Sequence, residues 1–185
     1  SNYTNKGLKF NEGLSEMAII ISGYGDAGVS FSRYLNNVGK VGWEWESESV
    51  HYDMAALFVL YFAEQLGDES LKIFQNINAS GFNAFQQLLY KYNIPLSTES
   101  WFINWFIANY LNDTSINPAY GYNYSVGKAK PSAWHVSGQV ESEMLSVKNR
   151  DVNYIYYSSS ADSLPITFNS YGSSTATYKS LEFTD

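Results

Sequence analysis

The sequence predicts an α+β protein, with a mainly helical subdomain over residues 1–115 and a small antiparallel, sandwich-like β domain over 116–185. Up to about residue 115 apolar residues recur at helical spacing between Ser caps and Gly stops. Beyond it, short aromatic and β-branched runs alternate with Gly, Ser and Asn, as in strands joined by turns. The hydrophobic share of 45% is that of a folded chain and supplies a core for both parts.

The first helix is expected from about Asn11 to Ser22, stopped by Gly23-Tyr24-Gly25. A weaker one over Asp26 to Asn37 turns Phe31, Tyr34 and Leu35 inward. Val38 to Ser49 is a loop with Trp43 and Trp45 interleaved among Glu44, Glu46 and Glu48. It reads as an exposed hairpin, with the wall of a substrate cleft as the alternative. Ser49 then caps a helix over His51 to Leu66 that is apolar on nearly every face and is closed by Gly67. A short helix over Asp68 to Asn76 follows. Ser80 caps an amphipathic helix with Phe82, Phe85, Leu88, Leu89 and Tyr92 on one stripe, and Ser97 caps a last helix over Thr98 to Leu111. Residues 116–131 are irregular. Strands are expected at Ala133–Val140, Glu143–Lys148, Val152–Ser158, Leu164–Asn169 and Thr175–Phe183, with turns at Asp162-Ser163 and Tyr171 to Ser174.

Composition narrows the function classes. A net charge of -7 repels phosphate backbones, and no basic stripe exists, so a nucleic-acid partner is not expected. The absence of cysteine removes disulfides, thiolate metal sites and Cys nucleophiles. The longest apolar run, Met54 to Ala63, is too short for a membrane span. Sixteen Tyr and five Trp are well above usual usage and suit rigid surface or carbohydrate-type contacts as well as a core, and the Ser/Asn/Tyr/Thr-rich tail has an extracellular character. No Gly-x-Ser-x-Gly elbow or phosphate-binding glycine loop occurs.

Chemistry concentrates in Asn11-Glu12-Gly13-Leu14-Ser15-Glu16-Met17. Glu12 and Glu16 fall one turn apart on one helix face, with Ser15 beside them and Leu14, Met17, Ala18 and Ile21 on the other side. Such a pair reads either as a solvated helix face or as acids turned inward toward a cation. The segment resembles the third-ligand helix of zinc metallopeptidases of the gluzincin group, whose pattern is Asn-Glu-x-x-Ser-Asp/Glu. The run from His51-Tyr52-Asp53 to Tyr61-Phe62-Ala63-Glu64-Gln65-Leu66-Gly67 is similar to the next helix of the bacterial hyicolysin-like peptidases, with Asp53 where a Gly is common. Trp101 to Asp113 is similar to their closing helix. The three segments span about residues 8–115 in the family's order.

The resemblance implies that Glu12 is a zinc ligand, that Glu16 orients a ligating histidine, and that His51 or Tyr52 donates to the oxyanion. It also implies a His-Glu-x-x-His helix, and none occurs here; the two histidines are His51 and His135. The expectation is therefore the C-terminal part of a secreted or surface-anchored bacterial zinc peptidase, with zinc held by the full-length protein and none by this chain, and the peptide substrate met through a preceding segment. On residue chemistry alone His51 reads equally as a cap-region histidine bonded to a backbone carbonyl, and His135 as structural. The rival expectation is a non-catalytic extracellular module whose aromatic β domain binds a glycan or a surface protein.

Overall fold

A helix apolar on nearly every side needs neighbours all around it, and the longest helix of this protein is built that way. The computed structural model describes residues 7–23, 30–46, 48–136, 145–158, 177 and 179–181, with the main chain alone at 135 and 136. Its central helix is α3 (Ser49–Leu66), in which every residue from Met54 to Ala63 is buried. Around it stand α1 (Leu8–Ile21), α2 (Phe31–Leu35), α4 (Glu69–Asn76), α5 (Gly81–Lys91) and α6 (Thr98–Leu111). The mainly helical character expected from periodicity is what the chain adopts.

Packing follows side-chain size. On α1, Gly13 lets the helix press against α3: a Cβ there would stand 2.5 Å from the Ala55 carbonyl oxygen. Next to that contact a lattice of rings fills the core. Phe58 of α3 lies 4.7 Å from Phe102, nearly parallel to it, and 5.1 Å from Trp105, edge-on. Phe10 of α1 meets Trp43, Phe58, Phe74, Phe82 and Phe85. Each of these large side chains contributes about 1.5–3 kcal/mol by leaving water.

The helix ends follow the local sequence in part. Ser97 caps α6, its hydroxyl accepting from the Ser100 N–H at 3.1 Å. Ser80 occupies the N-cap of α5 without such a bond, and Glu48, not Ser49, occupies that of α3. On α5 the apolar stripe is real: Phe85, Leu88 and Leu89 are buried, with Phe82 and Tyr92 packed at its margin. On α1 the inward face differs from expectation. Lys9, Phe10, Gly13, Leu14 and Met17 are buried, whereas Ala18 and Ile21 are exposed.

After α6 the chain folds back over the helices. Asn112 adopts the left-handed conformation (φ 41°), accepts from the Tyr122 N–H at 3.0 Å and donates to the Val126 carbonyl at 2.6 Å. The Glu64 carboxylate accepts from the N–H groups of Asn123 and Tyr124. Tyr122, Val126 and Ala129 thereby join the helical core.

Two strands are present among the described residues, β1 (Ala133–Val136) and β2 (Ile155–Ser158), and they pair in parallel, with Trp134 opposite Tyr156. The antiparallel pairing expected from the sequence is therefore wrong for this pair. Residues 137–154 separate the strands, and a connection of that length permits the crossover that a parallel pair requires. Residues 145–148 and 152–154, expected in strands, are not in strands. The strand expected at Leu164–Asn169 and both turns lie outside the described residues; of the one expected at Thr175–Phe183, residues 177 and 179–181 are described and are not in a strand. None of the described helices is long and apolar enough to cross a membrane.

Candidate functional site

Two groups of polar side chains hang from α1, and they differ in sign. The acidic group contains the sequence-predicted ligand. Glu12 is half-buried on α1, and Glu16 follows one turn later. Among the described residues, Glu16 Oε2 is shut off from water and meets no hydrogen-bond donor. Burial raises the Glu16 carboxyl above its ordinary range, and the neighbouring Glu12 and Asp53 carboxylates push it further the same way. Ser15 turns back on its own helix, donating to the Asn11 carbonyl at 3.0 Å.

Asp53, the position where the resembling family often has Gly, belongs to α3 and ties down α2. Its Oδ1 accepts from the Ser30 N–H at 2.8 Å, and its Oδ2 forms an ion pair with Arg33 Nε at 2.7 Å, short in distance though poorly directed as a hydrogen bond. Burial raises the Asp53 carboxyl, and the bonds from Ser30 and Arg33 oppose that rise. Among the described residues no group of three or more His, Asp or Glu side chains could hold a metal ion.

The second group is built around His51, and sequence reasoning missed its principal member, Lys9. Lys9 is 3% exposed and His51 1% exposed. Lys9 Nζ donates to the Gly42 carbonyl at 2.9 Å and lies 2.5 Å from His51 Nδ1. His51 Nε2 faces the Glu46 carboxylate at 3.5 Å, and Glu46 also accepts from Lys148 Nζ at 2.8 and 2.9 Å. The indoles of Trp43 and Trp45 lie 5.9 and 5.7 Å from the Lys9 ammonium, and both interactions favour its charge. Burial nevertheless lowers Lys9 from 10.5 to about 7, opposed by Asp151 and Glu46 and reinforced by Lys148. Burial also lowers His51, then the Lys9 charge, with Glu46 and Glu48 pulling the other way.

Of these residues His51, Glu46 and Lys148 border a cleft of about 450 Å³, lined also by Arg33, Lys40 and Glu48. His51 is therefore held by side chains, not by the backbone carbonyl that its place near the start of α3 suggested. Tyr52, the other oxyanion candidate, is half-buried with its ring edge-on to Trp45 at 4.7 Å. The loop of alternating acids and indoles is not an exposed hairpin. Trp43 packs against Phe10, Phe58, Phe82 and Phe102, while Glu44, Glu46 and Glu48 stay exposed. The His135 side chain lies outside the described residues.

Behind the cleft, Asp151 fastens the chain after residue 145 to the loop before α3. It accepts from Tyr34 Oη at 3.2 Å, from the Val41 N–H at 2.9 Å and from its own neighbour Val152 N–H at 2.9 Å. Burial raises the Asp151 carboxyl to about 6 in spite of those bonds. Comparison of the chain with protein-family models, curated proteins and solved structures yields no match.

Proposed function

We propose that this chain is the C-terminal portion of a secreted bacterial zinc-dependent peptidase that hydrolyses peptide bonds, and that the chain alone is inactive. In this reading Glu12 is the third zinc ligand, Glu16 orients a ligating histidine, and His51 or Tyr52 donates to the developing oxyanion. One observation carries the reading: a buried, unpartnered carboxylate oxygen on Glu16 beside the carboxylates of Glu12 and Asp53. Carboxylates that raise one another's proton affinity, one of them with an oxygen shut off from water, are an arrangement that a cation relieves. Leu8 and Ile19, exposed on the face of α1 that carries Glu12, give a His-Glu-x-x-His helix apolar side chains to pack on. Zinc, when bound, supplies Lewis-acid polarisation of the scissile carbonyl. The test is Glu12→Ala in the protein that carries the preceding segment, with zinc content and peptide hydrolysis measured together. Both are expected to be lost, and retention of either at the wild-type level refutes the assignment.

A second reading has its own observation. Trp134 is 63% exposed on β1, with its ring 4.7 Å from that of Tyr156 on β2, itself 36% exposed. An indole and a phenol held together in solvent suit the apolar face of a sugar ring. If the chain is a glycan-binding module, Trp134→Ala abolishes retention on an oligosaccharide array that the parent chain binds. Equal retention of the two proteins refutes it.

A further inference from the structure

Two cations cannot share the 2.5 Å gap between Lys9 Nζ and His51 Nδ1, so at neutral pH the pair holds one proton between its facing nitrogens. We propose that Lys9 is a positioning residue that fixes the proton of His51 on Nε2, so that the imidazole presents an N–H donor to the cleft while the pair keeps its shared proton. This rests on the reading of His51 as a donor to an oxyanion, and it adds the device that keeps the donor in place.

The position of the shared proton decides the tautomer of His51. If the shared proton sits on Lys9, the ammonium donates to Nδ1, which must then be the bare acceptor nitrogen, and the remaining ring proton is on Nε2. If the proton moves to Nδ1, the imidazole is an imidazolium and Nε2 still carries its hydrogen. Both positions of the proton leave Nε2–H pointing at the Glu46 carboxylate. The Gly42 carbonyl takes a second Lys9 hydrogen and so holds Nζ in place. The charged groups that face the pair are Glu46 and Glu48 from the loop before α3, with Lys148 and Asp151 from the segment after residue 145. Glu46 is exposed and keeps its bonds to Lys148 on the solvent side, and its oxygen stands 3.5 Å from Nε2, longer than a charge-assisted hydrogen bond. An anionic ligand oxygen arriving in the cleft can therefore take its place on Nε2–H.

The device is a proton location, and imidazole ¹⁵N spectroscopy reads it directly on this chain, without zinc and without substrate. Long-range ¹H–¹⁵N correlation from pH 6 to 7, where the pair keeps its proton, is expected to show His51 with hydrogen on Nε2. In Lys9→Met the His51 midpoint is expected to move up, because the cation that opposed its protonation is gone. His135→Gln separates the two histidine signals. Hydrogen on Nδ1 with a bare Nε2 in the wild-type protein overturns the proposal, as does an unchanged His51 titration in a folded Lys9→Met. If Lys9→Met does not fold, the wild-type spectrum alone decides. Loss of the peptidase reading through the Glu12 experiment leaves this outcome untouched, so the two failures are distinguishable.

Discussion

Replacing Gly13 by Ala sets two well-known effects against each other with opposite signs. Gly13 lies within α1, and in a helix interior Ala is favoured over Gly by about 1 kcal/mol. On propensity alone Gly13→Ala stabilises the protein. The structure predicts the reverse. The added methyl carbon would stand 2.5 Å from the Ala55 carbonyl oxygen, 2.8 Å from its carbon and 2.8 Å from Val59 Cγ2. Two of those three atoms are backbone of α3, which cannot rotate aside, so α1 and α3 must separate. Overpacking of this kind costs about 1–3 kcal/mol, and a backbone clash belongs at the upper end. Subtracting the propensity gain leaves a net loss of roughly 2 kcal/mol. For a chain of this size that lowers the melting temperature by about 4–8 °C. Thermal unfolding followed by circular dichroism measures it. A variant that melts at or above the wild-type temperature refutes the reasoning, because it means that the helix pair has room that the geometry denies.

Phe58→Ala removes a fully buried ring from the centre of the lattice and is expected to cost about 3–5 kcal/mol in urea unfolding; a loss below 1 kcal/mol contradicts the packing described. Asp151→Ala strands the Val41 N–H and the Tyr34 hydroxyl and is expected to cost about 2–3 kcal/mol near neutral pH. Because the folded Asp151 carboxyl titrates near 6, above its ordinary 3.8, the folded state binds its proton more tightly. Its contribution is thus fully present below pH 3.8 and falls as pH rises through 6, a fall that urea titrations should find in the wild type and not in the variant. Lys9 has the opposite sign. Its folded value of about 7 lies below 10.5, so the unfolded chain binds the proton more tightly and stability rises with pH between those values. Urea unfolding at pH 7 and pH 9 is expected to show that rise in the wild type and to lose it in Lys9→Met.

Helices were the legible part of this chain. Their signals are local: a Ser before a periodic apolar run, a Gly after it, and no need of a distant partner to make sense. Ser97 capping α6 and the Phe85, Leu88, Leu89 stripe of α5 are cases in point. Strand pairing was not legible, because parallel and antiparallel partners have similar alternation and the difference lies in the path of the connection. At the site, Glu12 and Glu16 were visible as an i, i+4 pair, but Lys9 was not picked out. A signal for it existed. Lys9 lies one turn before Gly13 and two before Met17, so it falls on the same inward stripe, where a lysine is out of place unless something receives its ammonium. Its acceptors, Gly42 and His51, lie 33 and 42 residues away and leave no mark in the local sequence. Asp151 is hidden for the same reason, since its partners Tyr34 and Val41 precede it by more than a hundred residues.

The contacts of Phe10 bear on how α1 meets anything that arrives. One side chain touches rings from the loop before α3, from α3, from α4 and from α5. A small rotation or slide of α1 disturbs all of them at once, so the helix is stiff where a surface helix is ordinarily compliant. Glu12 sits two residues along from that anchor and Lys9 one residue before it, and both inherit the stiffness. A ligand binding at either place meets side chains whose backbone positions folding has already set, and the ordering cost of association falls mainly on the ligand.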